Sequence, residues 1–199
     1  MRTFDELVHR IRRQDSGPVR LVGVDGCGGA GKTTYAARLS HAAGGAPVVH
    51  TDDFATHDEP LQWWPRMLTQ VVEPLLRGEP ASYHPYDWVD RRLATDAHTV
   101  APAPIVVIEG VGAARSAWRD RLTHAVWIDA PRDVRLRRGI ARDGEELREF
   151  WREWMRAEDA YVADERPHLH ADEVVDGDPT LPHDPETEYV ALDSISGPR

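Results

Sequence analysis

Cysteine is almost missing from this chain, and so is lysine. Cys27 is the only cysteine in 199 residues, so no intramolecular disulfide can form and a reducing, cytoplasmic setting is expected. No run of about 18 apolar residues occurs, and the opening stretch MRTFDELVHRIRRQ mixes charged and apolar residues at helical spacing. The expectation is therefore a chain that is neither exported nor membrane-spanning. Internal repeats and low-complexity tracts are also lacking, which leaves one unit of ordinary domain size. Positive charge is scarce: 34 acidic residues against 24 basic ones give a formal net charge of -10. Such a field repels polyanions and excludes a nucleic acid held by nonspecific phosphate contacts, while a small anion can still bind in a local positive pocket.

Of the 24 basic residues, 23 are arginine and one, Lys32, is lysine. An ammonium is a compact point charge that fits between two phosphates, whereas a guanidinium is a wide planar fork. The position that keeps lysine is thus a candidate phosphate ligand.

The pattern along the chain alternates strand and helix. It predicts a helix over 3–14, a strand over 19–25, a helix over 32–42, a strand ending at Thr51, a helix over 61–76 and an irregular lobe rich in Pro, Gly and aromatics. A strand over 105–110, a helix over 114–121, a strand at HAVWIDA, helices over 132–142 and 145–161, and a last strand at DEVVDG follow. Strands apolar on both faces and separated by helices make a parallel sheet covered on both sides. The expected fold is α/β, a doubly wound five-stranded parallel sheet with helices on both faces. Residues 1–179 form the domain, with a lid at about 132–145 and an acceptor lobe at about 54–100. Residues 180–199 read as a loose tail, with a short strand at EYVAL as the alternative.

Residues 26–33, GCGGAGKT, spell the complete G-x-x-x-x-G-K-T pattern, after a strand and before a helix, so the α/β fold is expected to be of the P-loop NTPase type. Glycines let Gly26, Cys27, Gly28, Gly29, Ala30 and Gly31 curl until their amides form an anion nest, to which the helix N-terminus adds positive potential. Lys32 would bridge the β- and γ-phosphates of ATP, Thr33 would place its hydroxyl on Mg²⁺, and Thr34 would close the nest. Cys27, inside this loop, is expected to have thiolate character. Acids stand at the ends of two other strands, Asp52 and Asp53 after APVVHT and Glu109 after IVVI. In a parallel sheet such ends converge, so these carboxylates could hold Mg²⁺, partly through water, or take a proton from an attacking hydroxyl. The competing reading for each acid is a helix N-cap. Helical spacing puts Arg135, Arg138 and Arg142 on one face, to close over a triphosphate or to pair with Asp133, Asp143 and Glu146 on a solvated one. His168 and His170 read as surface histidines rather than a metal site, and Trp63, Trp64 and Trp88 as packing or pocket wall.

These residues resemble uridine kinase and its relatives, including phosphoribulokinase and bacterial pantothenate kinase, over about residues 19–177. VDGCGGAGKTT is similar to the family's P-loop, and TDDF to its D-x-F motif, whose first aspartate is the base toward the acceptor hydroxyl. The resemblance thus implies Asp52 as base, with Asp53 at the variable position. HPYDW is similar to the segment lining the nucleoside pocket, implying Tyr86 and Asp87. VVIEGV implies Glu109 near Mg²⁺, and DVRLRRGIARD implies Arg135, Arg138 and Arg142 as lid arginines. Arg91 falls where those kinases carry a histidine that helps hold the base.

The expected activity is ATP-dependent phosphorylation of a nucleoside (uridine or cytidine) or nucleoside-like acceptor. Asp52, Lys32 and Arg138 are the catalytic candidates, and Asp53, Tyr86, Asp87 and Arg91 bind the acceptor. Two alternatives stay open: a kinase for another small alcohol or a nucleoside monophosphate, with Arg91 and Arg92 reading an anion, and a P-loop module that senses ATP without transfer. The expected partner is a small-molecule acceptor, with no nucleic acid and no membrane.

Overall fold

The computed structural model describes residues 1–193. In chain order its main elements are α1 (Phe4–Arg12), β1 (Arg20–Asp25), α2 (Lys32–Ala42), β2 (Val48–His50), β3 (Ile105–Glu109), β4 (His124–Asp129), α3 (Arg132–Asp143), α4 (Arg148–Glu165), β5 (Glu173–Asp176) and β6 (Ala191–Leu192). The sheet runs β2-β3-β1-β4-β5-β6. Its first five strands are parallel, and β6 lies antiparallel on β5. The pattern predicted the five parallel strands. The sixth comes from the segment expected to be loose, where the alternative strand at EYVAL is the one that forms.

Alternating side chains fill both faces. Val22, Val24, Val107, Val126 and Ile128 meet α1 and α2 on one side. Leu21, Val106 and Ile108 meet Phe54, Met67, Val71 and Leu75 on the other. Trp127 and Val174 complete that second face against Tyr161 and Val162 of α4. Parallel register brings the carboxyl ends of the strands, at Asp25, His50, Glu109, Asp129 and Asp176, to a single edge of the sheet.

Three expectations are corrected. The helix predicted over 61–76 begins at Trp64 and divides into Trp64–Met67, a π-helical turn Leu68–Val72, and Glu73–Leu76. Pro74 has no N–H for the Gln70 carbonyl, and a widened turn is one way a helix passes such a gap. The irregular lobe contains two short antiparallel ladders, Ala81–Tyr83 with His98–Val100 and Tyr86–Asp87 with Arg92–Leu93. No helix forms over 114–121, where turns lead to a 3₁₀ segment, Arg119–Arg121. There the Asp25 carboxylate captures the Gly112 and Ala114 amides and sets the path of the chain.

The first residues of the chain pair with the segment just before β6, in a two-stranded ladder separate from the main sheet. Thr3 and Glu6 form a capping box at the start of α1, and Arg2–Thr3 pairs antiparallel with Glu188–Tyr189. Glu173, buried at the start of β5, gathers Arg2, Arg10 at 3.0 Å and the Tyr189 hydroxyl at 2.9 Å, with His124 Nε2 at 3.7 Å. Burial alone would push its pKa up, but His124, Tyr189, Arg10 and Arg2 outweigh it and hold the carboxyl below its ordinary value. A depressed carboxylate stabilises the fold above the unfolded-state pKa, and that contribution is lost as pH falls through the folded value. Wild type should therefore lose stability on acidification below about pH 4.5, near the unfolded Glu value. Denaturant titrations across pH should show Glu173→Gln less stable at neutral pH and with a flatter acid limb.

Candidate active site

The phosphate-binding loop is shaped by what packs behind it. Asp25, fully buried at the end of β1, accepts hydrogen bonds from the amides of Gly26 (2.7 Å), Gly112 (3.0 Å) and Ala114 (2.9 Å) and from the Tyr161 hydroxyl (2.6 Å). Burial pushes its pKa up, and those four donors oppose the rise. Gly29 has φ +76°, and a Cβ there would lie 2.5 Å from the Arg135 carbonyl oxygen, so only glycine allows α3 to approach this closely. Gly31, the N-cap of α2, has φ +106° and open space where a Cβ would stand. That left-handed turn and that space suit an anion seated on the amides at the helix start.

Lys32 is buried, and its ammonium donates to the Cys27 carbonyl at 3.0 Å. Thr33 Oγ1 donates to Glu109 Oε1 at 3.3 Å, and His50 Nδ1 lies 2.5 Å from the same oxygen. That contact holds the His50 imidazole pKa above its ordinary value. Glu109 Oε2 is buried and has no hydrogen-bond partner among the described residues. An orphaned carboxylate oxygen beside a P-loop hydroxyl is a hard-oxygen donor set that fits Mg²⁺.

Asp52 and Asp53 lie in a 3₁₀ turn, Thr51–Asp53, beyond β2 and have different surroundings. Asp53 accepts from the Tyr83 hydroxyl at 2.9 Å and is tied to the lobe. Asp52 is exposed to solvent at the carboxyl edge of the sheet. The surrounding protein raises its pKa, Lys32 opposes the rise, Glu109 adds to it, and Arg142 and His50 offset it. The Trp88 indole donates to the Asp52 carbonyl at 3.3 Å.

Of the arginines of α3, the three expected on one face part company. Arg138 bonds the carbonyls of Gly29 (3.3 Å) and Gly177 (2.8 Å) and Asp178 (2.7 Å). It lines a cavity of about 370 Å³ that runs from Ala30, Gly31 and Thr34 to an aromatic wall of Phe4, Tyr35 and Tyr189. Arg142 lies over the Trp151 ring, paired with Asp143 and close enough to act on Asp52. Arg135, expected to face the phosphates, is buried instead, held by the Ala130 carbonyl at 3.1 Å and by Glu158 at 3.3 Å. In the lobe, Asp87 accepts from the amides of Val89 and Asp90, which shapes the hairpin turn. Arg91, at the tip of that hairpin with φ 53°, is exposed and has no hydrogen bond or ion pair with the site residues.

Glu158 and Asp25 escaped the sequence reading. Glu158, fully buried on α4, reaches across 130 residues to accept the Gly28 amide at 2.6 Å, and it also takes the Trp154 indole at 2.7 Å and Arg135. Burial raises its pKa; Lys32, the Gly28 amide and Arg135 oppose the rise. Its signal was its place on the apolar stripe of Trp151, Met155 and Val162, at helical spacing. Cys27 corrects a further expectation. Its side chain packs with Leu61, Val111, Trp127 and Tyr161, and burial with the nearby Glu158 pushes its thiol up to about 12. His168 is likewise buried, beside Trp127, rather than on the surface.

With this geometry in view, the likenesses to known proteins become informative. The family described as AAA domain matches residues 21–160. A uridine kinase of Deinococcus deserti is 32% identical over 144 residues, covering 63% of this chain and 69% of that protein. A uridine kinase of Leuconostoc citreum is 25% identical over 169 residues, covering 75% and 79%. A solved structure described as a possible uridine kinase from Bacillus stearothermophilus superposes with a TM-score of 0.62 at 24% identity, covering 86% of this chain and 96% of that one, a likeness of fold.

Two measurements test the site. Glu158→Ala leaves a buried guanidinium and a buried amide unpaired, and denaturant titration should show a loss of about 3–5 kcal/mol. A thiol reagent at pH 8 should label native Cys27 much more slowly than the unfolded chain, because the folded thiol stays protonated.

Proposed function

The chain belongs to the AAA-domain family of P-loop proteins and, with the uridine kinases, to the phosphotransferases that act on hydroxyls, and on that premise we propose that it moves the γ-phosphate of ATP to a hydroxyl of a nucleoside, uridine or cytidine first. The observation that carries the reading is Asp52. Its carboxyl answers electrically to Lys32, Glu109 and Arg142, while the neighbouring Asp53 is tied to Tyr83. A carboxylate in that position serves as the base toward an acceptor hydroxyl, and a protein that only sensed ATP would have no use for it.

In this reading the nucleotide's phosphates lie on the amides of 28–33 and its base enters the cavity beside Gly31 and Thr34, walled by Phe4, Tyr35 and Tyr189. The acceptor approaches from the lobe. Asp52 takes the hydroxyl proton as the oxygen attacks the γ-phosphorus; the bond to the β-phosphate oxygen breaks, ADP leaves, and Asp52 gives its proton to solvent. Lys32 balances charge at the phosphates, Arg138 fixes the floor between the P-loop and the segment after β5, and Arg142 adds positive potential above Asp52. Thr33 and Glu109 would hold Mg²⁺, which would supply charge neutralisation during phosphoryl transfer. Arg135 supports the site from behind through Glu158. Arg91, exposed at the hairpin tip, would meet an acceptor only at the rim of the lobe.

The test is ADP release with MgATP and a panel of nucleosides, with the mass of the product measured. Uridine or cytidine should gain one phosphate, and unchanged nucleosides in the presence of bound MgATP would overturn the acceptor. Asp52→Asn should leave ATP affinity within a few-fold while turnover falls by about 10²- to 10⁴-fold. Asp53→Asn, which disturbs only the Tyr83 contact, should cost much less. Lys32→Arg should abolish turnover, since a fork does not fit a site made for a point charge.

A further inference from the structure

Beyond Asp52 the acceptor side of the cleft is edged by three rings that come from two separate segments. His57 lies in the loop that follows Thr51–Asp53, while Tyr86 and Trp88 belong to the hairpin of the lobe. His57 Nδ1 and the Tyr86 hydroxyl share a hydrogen bond at 2.9 Å. The imidazole centroid is 4.9 Å from the Trp88 ring and 5.7 Å from the Tyr86 ring, and Tyr86 meets Trp88 edge-on at 5.2 Å. Through the bond from its indole to the Asp52 carbonyl, Trp88 fixes the trio beside the residue that takes the acceptor's proton. The rings are surface rather than core: His57 is exposed, and Tyr86 and Trp88 are half-buried.

Ring faces and a single polar atom define what such a surface can take. With Nδ1 engaged by Tyr86, the imidazole orientation is fixed, and Nε2 is left without a hydrogen bond among the described residues. Aromatic faces accept a planar ring by stacking, and one oriented nitrogen can exchange a hydrogen bond with that ring's polar edge. Charges of both signs lie near the trio in sequence, Asp58, Glu59, Asp87 and Asp90 with Arg91 and Arg92, and Arg92 pairs with Asp90 at 3.0 Å, so what the trio itself presents is ring faces and one polar edge. We propose that His57 is a specificity-determining residue, reading through Nε2 the polar edge of an uncharged planar ring, as in a pyrimidine nucleoside. This rests on the nucleoside reading above and adds a residue that neither the motif nor the family pattern supplied.

The competing role for His57 is to prop the loop against the lobe. Steady-state kinetics with uridine and cytidine, at saturating MgATP, separate the two. His57→Asn keeps a polar atom near the Nδ1 position for Tyr86 but has nothing at Nε2, so the nucleoside KM should rise about tenfold, the scale of one hydrogen bond. The KM for MgATP and the thermal midpoint should not move. His57→Gln, whose amide reaches toward the Nε2 position, should recover most of the loss. An unchanged nucleoside KM in His57→Asn overturns the proposal. So does a fall in thermal midpoint and kcat, in both variants, with the acceptor KM unaffected. If wild type binds MgATP but phosphorylates neither nucleoside, the acceptor class itself has failed, and the assignment of His57 fails with it.

Discussion

One buried carboxylate joins the parts that must stay in register. Asp25 stands where β1 gives way to the phosphate-binding loop, and its two oxygens accept four hydrogen bonds. Those donors belong to the P-loop itself, to the crossover after β3 and to α4. A carboxyl group in an apolar interior is costly unless its hydrogen-bonding capacity is filled, and here four donors fill it. The consequence is mechanical. Glu109 stands just before the crossover that Asp25 holds, and the α4 helix that carries Glu158 is fastened to the loop by Tyr161, so the triphosphate site is built around a fixed point.

A protein with a net charge of -10 must assemble its positive potential locally. Backbone amides, one lysine and two exposed or half-exposed arginines of α3 supply it. The third arginine is consumed internally, because Arg135 is neutralised by Glu158, which in turn orients the Gly28 amide. Acid and base are thereby separated by depth. Buried Asp25 and Glu158 shape the loop, Glu109 is buried beside the Thr33 hydroxyl, and Asp52 is open to solvent.

The two halves of the site were unequally legible. Glu109 and Asp52 could be placed from the sequence because each sits at or just past the end of a strand, where parallel pairing puts such ends together, and Lys32 and Thr33 because the P-loop pattern sets them at the start of α2. The acceptor lobe gave less. Its ladders are two or three residues long, and its side chains meet partners from other segments, as Tyr83 meets Asp53 and His57 meets Tyr86. Short strands in a Pro-rich stretch carry too little periodicity to be read.

By itself the sequence determined the five parallel strands, the glycine turn of the P-loop and the helix that follows it, with Lys32 at its start. Each of these is encoded in a contiguous run: apolar residues on both faces, glycines at the spacing a nest requires, a lone lysine beside them. Tertiary structure alone decided which carboxylates are buried keystones and which are open, that Arg135 turns inward while Arg138 and Arg142 do not, and that the tail returns as the sixth strand. The physical reason is distance along the chain. A side chain's partner 130 residues away, as Glu158 is from Gly28, is chosen by how helices cross over the sheet and by which donors are left unfilled, and no local pattern records either.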